Sequence, residues 1–248
     1  AKAAITPMFE PSDSQECKDM LVEAFEISEK YDIPVLFRMT TRVCHSKSLV
    51  ELGERQDVPL KPYVKNIKKY VAVPANARPM KVKVQANQAL LGVYSNKCQW
   101  NRIEMNEPGI GIICSGDCYL YAREVFGDGA SYLKLGFTNP LPDDLIREFA
   151  SKVEKVYIIE ENDPYIENHV RALGIPCDGK NIFPRNGEMK PEVIRSVMFG
   201  EEYALDDEVR AAVIPRPPTL CAGCPHRGFF YELGRRKNVM VSGDIGCY

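Results

Sequence analysis

Leu220 to Tyr248 reads LCAGCPHRGFFYELGRRKNVMVSGDIGCY, and it gathers the residue types best suited to chemistry in this chain. Cys221 and Cys224 form a C-x-x-C pair, His226 follows two residues on, and Cys247 comes after a longer gap. Three chemistries use such a set. A redox dithiol opens a helix that lowers one thiol's pKa; Pro225 and the helix-like GFFYELG fit this loosely, but no thioredoxin-style sheet precedes them. Zinc takes four ligands, which Cys221, Cys224, His226 and Cys247 could supply, although His226 falls outside the usual spacing of a second ligand pair. An iron–sulfur cubane takes thiolates, so Cys221, Cys224 and Cys247 would need a fourth cysteine. The plain alternative is a loop with two adventitious cysteines.

Gly243, Asp244 and Gly246 lie in GDIGC, after a strand-like run. Glycines there free backbone N–H groups to approach a phosphate, and Asp244 could orient a ligand or a metal. Many strand ends also turn on glycine. In RMTTRVCHS, Arg38, Thr40, Thr41, Arg42 and His45 follow an apolar run, where two arginines and two hydroxyls could grip an anion at a strand's carboxyl end. A capped strand end at a domain interface explains them equally well. Glu160 and Glu161 close another strand; as a pair they could act as acid and base, but charge at the start of the next helix is the better reading. Ser115 or Asp117 reads as a helix N-cap, and His169 as a surface residue.

The elements that must position these residues alternate. Ser12 and Gln15 form an S-x-x-Q capping box before a helix whose Cys17, Met20, Leu21, Ala24 and Ile27 recur at helical spacing. IPVLFRMTTRV then reads as a buried strand. Glu54 to Pro79 holds four prolines and mixed charge, and reads as an extended linker. A helix through Val82, Ala86, Leu90 and Val93 follows. Strands over 109–116, 131–137 and 153–161 alternate with helices over 118–127, 142–151 and 163–174. That order predicts an α/β fold, a parallel sheet covered by helices on both faces. NVMVSGDIGCY reads as a strand running into a loop.

Composition narrows the class. The chain has 248 residues, 45% of them hydrophobic, with net charge −2, so it can bury a core and has no basic surface for nucleic acid. Its apolar runs are too short to cross a bilayer, and AKAAITPMFEPSD has no signal-peptide pattern. Nine cysteines, an odd count spread over ordinary elements, argue against a disulfide framework and for a reducing compartment, by default the cytoplasm.

PMFEPSDSQE, RMTTRVCH, LGFTNPLP, IIEENDPYIE, LCAGCPHR and GDIGCY, in this order, resemble the α subunits of indolepyruvate ferredoxin oxidoreductases, thiamine-diphosphate enzymes of the 2-oxoacid:ferredoxin oxidoreductase family. The resemblance implies a central piece of such a subunit. Residues 1–53 would end a pyrimidine-binding domain, 54–78 form a linker, 79–200 form a transketolase C-terminal-like domain, and 201–248 begin a diphosphate-binding domain cut short. It implies oxidative decarboxylation of aryl pyruvates to acyl-CoA with ferredoxin as electron acceptor, using thiamine diphosphate, Mg²⁺ and a 4Fe–4S cluster. Cys221, Cys224 and Cys247 would be cluster ligands, with the fourth beyond Tyr248, and Gly243, Asp244 and Gly246 would approach the cofactor. The implied partners are the β subunit, ferredoxin, an aryl pyruvate and CoA, with no nucleic acid or membrane. The family's second G-D motif and its activating glutamate are not in this sequence, so no residue is assigned a catalytic role and the piece alone is expected to be inactive. A zinc-bound interaction module is the competing expectation.

Overall fold

Ile112, Ile113 and Cys114 are consecutive and all fully buried, which requires a strand covered on both faces. In a computed structural model of the chain they lie in β4 (Gly111–Ser115), within a sheet ordered β3-β5-β4-β7. Here β3 is Asn101–Glu104, β5 is Ser131–Leu135 and β7 is Val156–Ile159. The structure describes all residues except 56, 203–205, 215–218, 244, 245, 247 and 248. It divides into two compact units, Ala1–Glu202 and Tyr203–Tyr248.

In the first unit β4 pairs in parallel with β5 and β7, as the strand–helix alternation predicts. One face is covered by α5 (Asp117–Phe126) and α8 (Pro191–Phe199), whose Cys118, Ala122 and Ile194 pack with Ile112, Cys114 and Tyr132. The other is covered by α6 (Asp143–Ala150) and α7 (Tyr165–Ala172), where Phe149 and Val170 meet Ile113, Leu133 and Leu135. The fold is therefore α/β with a helix-covered, mainly parallel sheet. The edge strand β3 runs antiparallel to β5. Its sequence, NRIE, is too polar to betray a strand, because the buried Asn101 does structural work instead. The Asn101 carboxamide oxygen accepts from the N–H groups of Gly136 and Phe137, at 3.0 and 2.9 Å.

A smaller sheet, ordered β2-β1-β6, joins Met8–Phe9 (β1), Leu36–Phe37 (β2) and Phe137–Asn139 (β6). The strand expected through IPVLFRMTTRV shrinks to β2, and Thr41–His45 forms a short helix, α2. Thr40 causes the break, since its hydroxyl accepts from Val43 N and starts the helix. The helix α1 (Ser14–Tyr31) buries Met20, Ala24 and Ile27 as its spacing predicts, but its cap lies one residue off the expected box. Asp13 Oδ1 accepts from Glu16 N, and Glu16 Oε2 reaches back to Ser12 N, each at 2.8 Å. The acidic pair caps because an ionised acceptor beats Gln15, whose side chain instead bonds Asp19 and the Glu51 backbone.

The described residues from 54 to 66 form no helix or strand, α3 (Ile67–Tyr70) follows, and α4 (Pro74–Ser95) begins inside 54–78 with Pro74 in its first turn. Asp32, which follows α1, ties both helices by ion pairs to Lys69 and Lys83. Tyr94 of α4 and Trp100 both donate to Glu23 of α1. Gly136 lies close against Trp100 and Met20: an added Cβ would sit 2.6 Å from Met20 Cε and 3.0 Å from the Trp100 carbonyl oxygen, so a side chain there would force its neighbours to shift.

In the second unit, α9 (Asp207–Ala212) and α10 (His226–Gly234) contain no buried residues. GFFYELG is helical as expected. The described residues 239–243 form no strand, contrary to the reading of NVMVS.

Candidate functional site

Cys221 and Cys224 are brought together by a tight turn. Cys224 N donates to Cys221 O at 3.1 Å, and Gly223 takes φ +77°, a left-handed conformation that a side chain would resist. Pro225 precedes α10, and its first residue, His226, sets Nδ1 3.5 Å from Cys224 Sγ. The Cys221 side chain is exposed and that of Cys224 half-buried, so both sulfurs are within reach of a ligand from solvent. The donor chemistry suits a thiolate-ligated cluster or zinc. Among the described residues no three Cys, His, Asp or Glu side chains converge on a metal position. Cys247, the third predicted ligand, and Asp244 lie outside the described residues, so the structure brings together only Cys221 and Cys224 of that set. Gly243 and Gly246 are exposed, and a Cβ placed on Gly243 would meet nothing within 4 Å, leaving its backbone open to a phosphate.

The residues of RMTTRVCH are largely spent on neighbouring carboxylates. Arg38 pairs with the buried Glu10, and Arg42 grips Glu188 with two nitrogens. Thr40 Oγ1 donates to Asp117 Oδ2 at 2.7 Å. Two arginines already neutralised by carboxylates no longer offer the free charge that an anion grip needs, so this stretch fastens the small sheet to α5. Thr41 begins α2, and His45 is exposed with no hydrogen-bond partner among the described residues.

Other carboxylates follow their structural readings. Glu160 is buried and accepts from the N–H groups of Tyr165, Ile166 and Glu167, at 3.1, 2.8 and 3.0 Å, thereby capping α7. His169 Nε2 meets Asp143 Oδ1 at 2.7 Å on the surface. For α5 the expected side-chain cap is absent: Gly116 occupies the N-cap with φ +56°, and Asp117 is the first helical residue. Burial pushes the Asp117 carboxyl above the ordinary carboxylate range, with the Thr40 hydroxyl opposing. A cavity of about 650 Å³ opens between Ser12, Asp117 and Lys190. Sequence reasoning missed it, because its residues come from four separated stretches with no shared spacing.

No family model matches the chain. It is 37% identical over its whole length to the indolepyruvate oxidoreductase subunit IorA of Methanothermobacter marburgensis, covering 44% of that protein. The subunit of the same name from Archaeoglobus fulgidus is 33% identical, again over the whole chain and 43% of its own length. The chain is a relative of these indolepyruvate oxidoreductase subunits. It spans less than half the length of the curated relatives it matches. The fold has a solved counterpart in a 2-oxoglutarate:ferredoxin oxidoreductase from Magnetococcus marinus, solved with 2-oxoglutarate, coenzyme A and succinyl-CoA bound. That likeness has TM-score 0.51 and 19% identity, over 70% of this chain and 38% of the other. No helix among the described residues is long and apolar enough to cross a membrane.

Proposed function

We infer that the chain is part of an aryl-pyruvate ferredoxin oxidoreductase, where it carries sulfur ligands and one wall of the cofactor site. The observation that carries this reading is the match of the entire chain to indolepyruvate oxidoreductase subunits. The solvent-facing Cys221–Cys224 turn supports it. In this reading residues 79–200 are the transketolase C-terminal-like domain, joined through 54–78 to the end of a pyrimidine-binding domain at 1–53. Residues 201–248 begin the diphosphate-binding domain.

Cys221, Cys224 and Cys247 would hold a 4Fe–4S cluster as thiolates, and Gly243, Asp244 and Gly246 would present backbone and carboxylate to thiamine diphosphate and Mg²⁺. When bound, these groups supply carbanion stabilisation for decarboxylation and one-electron transfer to ferredoxin, with CoA taking the acyl group. The chain's own contribution is positional. The turn at Gly223 sets the two sulfurs, and the open backbone at Gly243 admits a phosphate oxygen. A partner β subunit and a cytoplasmic location complete the reading.

The closeness of His226 to Cys224 favours a second reading, in which the same residues hold zinc in an interaction module. Metal analysis separates the two. A protein of the relatives' full length that carries this chain, purified without oxygen, should contain iron and acid-labile sulfide. Its Cys221→Ser and Cys224→Ser variants should lose cluster and ferredoxin reduction while still binding thiamine diphosphate. Zinc in place of iron, or serine variants with full cluster content, would sink the oxidoreductase assignment of these cysteines.

A further inference from the structure

Four strand ends converge on one small cavity in the first unit. Glu10 directly follows β1, Arg38 follows β2, Ser115 ends β4, and Glu160 and Glu161 follow β7. All five line a cavity of about 180 Å³. The crevice beyond the carboxyl ends of parallel strands is where open α/β sheets hold ligands.

Ser115 itself points to a ligand. It is only 9% exposed, and its hydroxyl makes no hydrogen bond among the described residues. Along β4 it shares a face with Ile113, which packs toward α7, and Tyr165 and Ile166 of α7 line the cavity. The hydroxyl therefore turns into that space. Asp117 Oδ1 and Thr138 Oγ1 are sealed from solvent, but Ser115 Oγ is not, so an occupant can touch it.

The charges around the hydroxyl set the occupant's sign. Arg38 is the one cation lining the cavity, and it is paired with Glu10 Oε1. Lys180 spends its ammonium on the carbonyls of Glu160 and Pro184. Glu160 gives both carboxylate oxygens to the N–H groups of α7. Glu10 Oε2 and the carboxylates of Glu161 and Asp163 remain without a hydrogen-bond donor among the described residues. Burial, and then the charge of Asp117, push the Glu161 carboxyl above its ordinary range, as expected where counter-charge is short. A metal ion suits the cavity poorly, because no three Cys, His, Asp or Glu side chains among the described residues converge on a metal position. An anion would face unpaired carboxylates. A nitrogen cation carries several N–H donors pointing in different directions, which matches acceptors that are spread rather than convergent.

We propose that this cavity binds the guanidinium or ammonium head of a small organic cation, with Ser115, Glu10 and Glu161 accepting its N–H groups and Asp163 adding charge. Its size suits such a head and a short alkyl stem against Met8 and Ile166. The site uses neither the cysteines nor the GDIGC loop, so it stands or falls apart from the oxidoreductase reading.

Amide chemical-shift titration of the 248-residue chain tests it at low salt, where screening is weak. The probes are methylguanidinium and propylammonium, each set against its uncharged counterpart, methylurea or propanol. At least one cation should bind saturably with Kd of about 5 mM or tighter, shifting the amides of Ser115, Glu161 and Asn162. Its uncharged counterpart should bind at least about tenfold more weakly. Ser115→Ala should weaken the cation about threefold, and Glu161→Gln combined with Asp163→Asn about tenfold. Both acids reach solvent, so the double variant should fold, and its amide spectrum shows whether it has. Arginine and lysine blocked at both ends separate two sources of the cation. Binding equal to the small probes assigns a side chain of a partner protein, and exclusion assigns a free amine or guanidine. Absence of saturable binding at about ten times the stated concentration overturns the proposal. Equal binding of methylurea or propanol overturns it too, as does full affinity in the folded double variant.

Discussion

Cys114 and Cys118 in the first unit, and Cys221 and Cys224 in the second, are alike as letters and opposite as chemistry. The first two are wholly buried where α5 packs on β4, and burial pushes both thiols well above the ordinary range. They serve as small apolar side chains in a close-packed core. Cys221 is exposed, and Cys224 sits beside it on a turn whose backbone is fixed by Gly223. The aromatic residues divide the same way. Phe9, Phe137 and Phe149 are fully buried, whereas Phe229 and Tyr231 of α10 are 63% and 67% exposed. A scaffold needs burial, and a metal-binding sulfur needs access. These two needs separate the cysteines that hold shape from those left accessible to solvent.

The contrast can be broken first by thiol labelling. An aromatic disulfide reagent should modify the exposed Cys44 and Cys221 at once. Cys98, Cys114 and Cys118 should react more than about a thousandfold more slowly, since they must wait for the core to open. Mass spectrometry of timed samples reads this directly, and early modification of Cys114 would dissolve the distinction. Core truncation is the next largest effect. Phe137 meets Phe9 and Tyr94 edge to face, at ring separations of 4.9 and 5.0 Å, so Phe137→Ala should cost about 3–5 kcal/mol in urea unfolding. Phe229→Ala should change stability by no more than about 0.5 kcal/mol.

The smallest effect concerns Asp117. Because burial raises its pKa, the folded chain keeps this proton at pH values where the unfolded chain has lost it. The group therefore favours folding below the ordinary carboxylate range, and that contribution is lost as pH rises through the raised value. Asp117→Asn never ionises. Its stability relative to the parent chain should therefore improve as pH climbs from the ordinary carboxylate range toward neutrality. Urea unfolding at a series of pH values checks this, and a difference that stays constant would mean that the carboxyl is already well solvated.

How much of this was readable follows from where each signal lies. The runs GIGIIC, SYLKLGF and VEKVYIIEE carry their burial in clustered apolar letters, and β4, β5 and β7 follow them. The strand β3 was not legible, because its key residue is a buried asparagine whose value lies in bonds to Gly136 and Phe137, distant in sequence. The helix α8 was missed although Pro191 opens it and Gly200 closes it with φ +69°. Between those two signals, Val193, Ile194 and Val197 carry the face that packs on the core. RMTTRVCH admitted an anion grip beside a capped strand end because a sequence displays charges without showing which ones neutralise each other. Glu10 and Glu188, its actual partners, stand far off along the chain. The C-x-x-C turn was legible as accessible sulfur, while the sequence left its chemistry open between metal and redox roles.

Trp100 is the single tryptophan in the chain. Its indole N–H donates to Glu23 of α1, and its backbone carbonyl accepts from Gly136 N at 3.0 Å. Its emission therefore arises from one known place, the seam where α1 meets the start of β3. An indole hydrogen-bonded to a carboxylate and half-shielded from water should shift its spectrum when that seam parts. The protein thus carries a built-in optical gauge for the separation of its N-terminal helix from the sheet, with no label attached and no second indole to confuse the signal once excitation lies beyond the tyrosine band.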